Sequence, residues 1–132
     1  MNGAIVIEAG LWPPSVNGTW RSEGGRNILS AKARTFRAAM QSVIAAGRAK
    51  KLLPRQSIEG PVAVSMILFP PDRKRRDLDN YQKGVFDALT KARFWLDDSQ
   101  VRKMSVEFGE PVRGGALRIE VTQLMQEIQD AH

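Results

Sequence analysis

The chain has 132 residues, a formal net charge of +6, no cysteine and a single histidine, His132. That length supports one core, so residues 1–132 are expected to form a single domain, and the lack of cysteine excludes disulfides, thiolate nucleophiles and cysteine zinc sites. A lone terminal histidine argues against serine–histidine triads and paired-histidine metal motifs, which leaves carboxylates and lysine for any catalysis. Nothing resembles a signal peptide or a membrane span, so a soluble, cytoplasmic protein is expected. The basic surplus favours an anionic partner such as nucleic acid.

Residues 4–10, AIVIEAG, read as a strand that Pro13 and Pro14 prevent from continuing. Gly24 and Gly25 then separate two short segments carrying Arg21 and Arg26, the pattern of a small hairpin or loop. Ser30 suits a helix N-cap. Phe36, Met40, Val43, Ile44 and Gly47 follow at helical spacing, with Arg48, Lys50 and Lys51 near the negative end of the dipole. VAVSMILF, from Val62 to Phe69, is apolar enough to predict a strand buried on both faces. Leu78, Tyr81, Val85, Leu89 and Ala92 give a second helical stripe, from about Leu78 to Phe94. Met104, Val106 and Phe108 alternate with polar residues, and ALRIEVTQL after Gly114 and Gly115 alternates too, predicting two strands paired as a hairpin. The expected fold is α/β in the α+β sense, a small mixed sheet packed against two main helices.

Acid is concentrated in RRDLDNYQKGVFDALTKARFWLDDSQ, residues 75–100. On a continuous helix Asp77 and Asp79 would point about 200° apart. They converge only if Asp77 lies in an extended segment and Asp79 at the helix entrance, with Lys83 one turn above Asp79. Asp97 and Asp98 precede a strand and return carboxylates toward the same region, with Trp95 and Leu96 anchoring the turn. Each acid taken alone also fits an ordinary role: Asp79 as an N-cap, Asp77 paired with Arg75 or Arg76, and Asp97 and Asp98 as a turn. Together, beside the cations Arg73, Lys74, Arg75 and Arg76, they match what metal-assisted phosphodiester hydrolysis needs. Oxygen ligands would hold Mg²⁺, with Mn²⁺ as a possible substitute, and cations would grip phosphates.

WPPSVN, from Trp12 to Asn17, together with RRDLDNYQKGVFDALTKARFWLDDSQV, resembles the RusA family of Holliday junction resolvases. The resemblance implies a homodimeric, Mg²⁺-dependent endonuclease, phage or prophage encoded, that binds four-way junction DNA and makes paired nicks. Its catalytic and metal-binding aspartates fall on Asp77, Asp79 and Asp98, and its essential lysine on Lys83. Asp97, Asn80 and Asn17 match secondary positions, and Asp87 reads as structural or as a salt-bridge partner. Arg93 stands where relatives commonly have glycine, a residue suited to the left-handed end of a helix. The segment from Trp12 to Asn17 would shape the site or contact DNA. A nuclease for another branched DNA, and a non-catalytic DNA-binding module, are the alternative readings.

Overall fold

In a computed structural model that describes residues 3–125, the Ser30 hydroxyl accepts from the Ala33 amide at 3.2 Å and opens the first helix. His132 lies outside the described residues. The elements run β1 (Ile5–Ala9), β2 (Trp20–Glu23), β3 (Arg26–Leu29), α1 (Ala31–Ala49), β4 (Val62–Phe69), α2 (Gln82–Lys91), β5 (Val101–Phe108) and β6 (Ala116–Gln123). The anticipated element order and the α+β architecture are both present. Among the described residues no helix is long and apolar enough to cross a membrane.

The sheet order is β1-β6-β4-β5, with β4 and β5 parallel and the other pairs antiparallel. This corrects the expected hairpin of the last two strands, because β6 lies between β1 and β4, and β5 pairs only with β4. Alternation marks a strand with one wet face but carries no information on its neighbour. The connection after β5 instead crosses the end of β4, where Gly109 donates to the Leu68 carbonyl at 2.9 Å and Val112 to that of Pro70 at 2.8 Å.

Strand β4 is also not buried on both faces. Val62, Val64, Met66 and Leu68 are buried, whereas Ser65 is exposed and Ala63, Ile67 and Phe69 are half-buried. Both helices cover the same side: Phe36, Met40 and Ile44 of α1 and Val85, Ala88 and Leu89 of α2 join the first set in one core with Ile119 and Val121. The opposite face carries Glu8, Arg118 and Glu120, an ion-paired surface in which Arg118 bridges both glutamates.

The second helix is shorter than its apolar stripe. Leu78–Asn80 form a 3-10 turn, α2 starts at Gln82, and Tyr81 occupies the junction. At the far end Arg93 adopts φ 61°, so the left-handed geometry is kept although the residue is not glycine. The turn is held by its carbonyl, which accepts from Arg48 Nη2 at 2.8 Å and Ser57 Oγ at 2.6 Å. A non-glycine residue pays about 1 kcal/mol or more in that region. Arg93→Gly should therefore raise the melting temperature by roughly 2–4 °C in a thermal denaturation scan. An unchanged or lower value would show that the arginine side chain compensates.

Candidate active site: a carboxylate cleft at the entrance to the second helix

Asp77 is extended, with φ −90° and ψ 125°, and makes no capping hydrogen bond, while Asp79 lies in the 3-10 turn that follows. The break in helical geometry removes the 200° divergence expected of a continuous helix. Both carboxylates line one cleft of about 520 Å³ together with Arg76, Leu78 and Gln82, and Met104, Val106 and Phe108 of β5 form its apolar wall. Strand β5 can provide that wall because it is an edge strand whose helix-side face is only partly covered.

Arg76 is adjacent to Asp77 in sequence but does not neutralise it. Its Nη1 is 2.8 Å from the Asp72 carboxylate, and the same nitrogen reaches the carbonyls of Asp72 and Lys74 at 3.3 and 3.2 Å. The guanidinium also sits 5.5 Å from the centre of the Trp12 ring, a cation–π distance. Hydrogen bonding to Asp72 raises the Arg76 pKa, and the same bond lowers that of Asp72. Its folded pKa being depressed, Asp72 contributes stability above its unfolded value, and that contribution disappears as the pH falls through the folded value. Arg76, expected from the basic run to contact phosphate, is thus held in place by Asp72 and Trp12. Arg73 makes an exposed pair with Glu110 at 3.6 Å, and Lys74 and Arg75 are exposed with no acidic side-chain partner among the described residues.

The role of the Trp12 segment follows from its packing. Trp12 lies 5.0 Å from the Tyr81 ring, and Tyr81 is 6.3 Å from Phe108, so the residue at the junction of the two helical segments is held from both sides. Pro14 fits against Gly84 of α2, where a Cβ would come within 3.1 Å of the Pro14 carbonyl oxygen. Ser15 lines a second recess with Arg75, Asp77, Asn80 and Tyr81. Asn80 helps close the turn through its amide, 3.2 Å from the Asp77 carbonyl, whereas Asn17 is exposed in the 3-10 turn Val16–Gly18.

At the second acidic pair the two aspartates do different work. Asp97 is the cap: its carboxylate accepts from Ser99 N at 3.0 Å, which lowers its pKa. Gln100 completes a capping box, its Oε1 accepting from the amides of Leu96 and Asp97 at 2.8 and 2.9 Å and its Nε2 donating to the Ile58 and Gly60 carbonyls. Trp95 and Phe94 anchor the turn, both fully buried, with Trp95 Nε1 donating to Thr90 Oγ1 at 2.7 Å. Leu96 is 56 % exposed and does not anchor it.

Asp98 is left to face α2. Lys83 Nζ lies 3.4 Å from Asp98 Oδ2 and 2.9 Å from Asp87 Oδ1, and Asp87 in turn approaches Arg37 of α1 at 3.9 Å. Lys83 is therefore joined to Asp98 and not to Asp79, and the anticipated salt-bridge role of Asp87 is present. Hydrogen bonding to Asp87, then the charges of Asp87 and Asp98, raise the Lys83 pKa above its ordinary 10.5, so the ammonium is charged throughout the neutral range.

Among the described residues no three carboxylates or histidines stand together as a metal site. Asp77 and Asp79 share the cleft, and Asp98, which is not among the residues that line it, pairs with Lys83. The donor chemistry nevertheless suits a hard divalent ion, since Asp77 and Asp79 both line the cleft and neither has a salt bridge among the described residues. Gln82, which the motif reading passed over, lines the same cleft and has a buried Oε1 with no hydrogen-bond partner. Its position inside DNYQK was the only signal available in the sequence.

The family model described as endodeoxyribonuclease RusA matches residues 12–122. Proteins named crossover junction endodeoxyribonuclease RusA from Shigella sonnei, Escherichia coli K12 and Enterobacteria phage 82 are each 40 % identical over 116 residues, covering 88 % of this chain and 92 % of theirs. The matched range spans the Trp12 segment, both acidic pairs and Lys83, and by that range and the 40 % identity the chain belongs to the RusA endodeoxyribonuclease family.

Proposed function

We propose that this endodeoxyribonuclease resolves four-way DNA junctions by metal-dependent hydrolysis, with Asp77, Asp79 and Asp98 as the metal ligands and Lys83 as the cation beside them. The observation that carries the reading is the open cleft shared by Asp77 and Asp79, which have no salt bridge among the described residues, Arg76 beside them being paired with Asp72. Oxygen donors of this kind favour Mg²⁺, with Mn²⁺ able to substitute. A bound ion would activate water and offset charge at the phosphorus.

The chain's own residues supply the rest. Lys74 and Arg75, with Arg73 released from its exposed pair, fix the backbone through phosphate contacts that carry little sequence information. The apolar wall of Met104, Val106 and Phe108 lies against the sugar side of a strand whose phosphate faces the aspartates. Lys83 stands at Asp98, where its charge can compensate negative charge developing on the phosphoryl oxygens. A two-fold dimer supplies two such clefts for two equivalent strands of a junction.

The test is nicking of a synthetic four-way junction, a flap and a linear duplex, each with Mg²⁺ and with EDTA, alongside light scattering of the free protein. Paired nicks on the junction that require Mg²⁺, made by a dimer, are expected. Preferential cutting of the flap would replace the substrate, a monomeric mass would remove the two-site argument, and tight binding without nicking would make the chain a binding module.

A further inference from the structure

We propose that the β2–β3 ribbon is a DNA-engaging arm in which Trp20 stacks on an unstacked base at a branch point while Arg21 and Arg26 grip the adjoining backbone; this rests on the junction-cleaving function proposed above. The ribbon turns through Gly24 and Gly25, whose φ values of 59° and 78° are those a two-residue hairpin turn requires. It is a two-stranded sheet of its own, separate from the four-stranded one. Every residue of β2 is exposed, as are Arg26 and Asn27 of β3. A hairpin of two strands with no covering layer is marginal in water, so its persistence as a functional element calls for a partner.

Its side chains say which partner. Trp20 is 54 % exposed, whereas Trp95 is fully buried and Trp12 is packed in the core at Tyr81 and Arg76. Trp20 and Leu29 pair across the ribbon on the face that also carries Ser22 and Asn27, and the Arg21–Ile28 and Glu23–Arg26 pairs put both arginines on the other. Arg21 holds Glu23 in an exposed pair at 3.1 Å, and Arg26 has no salt bridge among the described residues. An exposed aromatic ring backed by guanidinium groups is the chemistry that takes an unstacked base and its phosphate, a combination an intact duplex offers only at its ends.

The location is equally specific. The ribbon is rooted in the turn Ser15–Thr19, where Ser30 Oγ donates to the Gly18 carbonyl at 2.6 Å and Ser30 N to that of Thr19 at 2.8 Å. Ser15 lines the recess that holds Asp77 and Arg75, and Gly18 and Lys32 line another with Arg76 and Tyr81. A strand whose phosphate lies at the aspartates therefore passes the root of the arm. The arm adds selectivity for branched over linear DNA, separate from the charge that holds both.

The experiment measures affinity of the full chain in EDTA, by fluorescence anisotropy, for a four-way junction and for a linear duplex of equal length, with Trp20→Ala, Trp20→Phe and Arg26→Ala. Stacking of one base on an aromatic ring corresponds to a loss of roughly 10-fold on removal. Trp20→Ala should weaken junction binding by about that factor and duplex binding by less than about twofold, and Trp20→Phe should restore most of it. Arg26→Ala should lower the slope of log affinity against log salt by about one on the junction. Native junction selectivity with unchanged Trp20→Ala and Arg26→Ala would overturn the arm alone. Native protein with no preference for the junction would overturn the function proposed above, and the arm with it. A Trp20→Ala chain that keeps its fold but changes its mass in light scattering would assign the ribbon to contact between copies and overturn the DNA reading. Should Trp20→Ala melt early, the salt slope of Arg26→Ala decides.

Discussion

Asp79→Asn and Asp98→Asn are expected to nick a four-way junction at least about 100-fold more slowly in Mg²⁺, while binding it in EDTA as tightly as the native chain or up to about fivefold more tightly. The rate loss follows from the several kcal/mol that metal-assisted charge stabilisation supplies, each 1.4 kcal/mol being a factor of ten. The affinity moves the other way because a carboxylate without metal repels the phosphate that Lys74 and Arg75 attract. One like charge at about 4 Å in water-like surroundings costs about 1 kcal/mol. The two variants should also differ from each other. Asp79 has no ion-pair partner among the described residues, so its amide leaves the fold untouched, whereas Asp98→Asn frees Lys83 to lie on Asp87 alone. Apparent Mg²⁺ affinity should fall in both. If binding and nicking fall in proportion, or the variants unfold, these aspartates are structural and the catalytic assignment is wrong.

The concentration of acid in a basic chain was legible because no single ordinary role absorbs all of it, and the structure shows which acids each role does absorb. Asp97 is a cap and Asp72 clamps Arg76, while Asp77 and Asp79 have no ion pair among the described residues. Helix start signals were equally readable, since a serine before an apolar periodic run acts locally, as Ser30 does. What was not legible was tertiary choice. Arg76 could have paired with Asp77 next to it, yet Asp72 lies one turn-length back and Trp12 offers its ring face. The apolar run of β4 suggested two buried faces, yet the helices pack on only one of them and the other is left to Ser65 and its charged neighbours. Strand pairing failed for a similar reason. Periodicity fixes which side chains share a face, and the crossover through α2 makes β5 a parallel partner of β4, so β6 must enter on the other side.

Lys83→Ala should fold, bind junction DNA within about twofold of the native chain, and nick roughly 100-fold or more slowly, the scale on which one preorganised electrostatic group acts. Folding is safe because the lysine is largely exposed and outside the buried face of α2, and an exposed helical pair such as Lys83–Asp87 is worth about 0.3–0.5 kcal/mol. Asp87 keeps Arg37 at 3.9 Å, so the change leaves no carboxylate stranded between the helices. The informative measurement is the Mg²⁺ dependence. Lys83 Nζ lies 3.4 Å from Asp98 Oδ2, so removing it frees a carboxylate that a divalent ion can use. Apparent Mg²⁺ affinity should therefore rise even as the maximal rate falls. A lysine that merely props up the fold predicts neither change: its removal would lower the melting temperature and leave the metal requirement and the rate at saturation as they were. Lys83→Arg separates charge from geometry, since the guanidinium preserves the pair with Asp87 but cannot place a compact ammonium at Asp98. Partial recovery by Lys83→Arg with a lowered maximal rate would support a charge that must be placed at the phosphate, and full native turnover by Lys83→Ala would assign the residue to the surface.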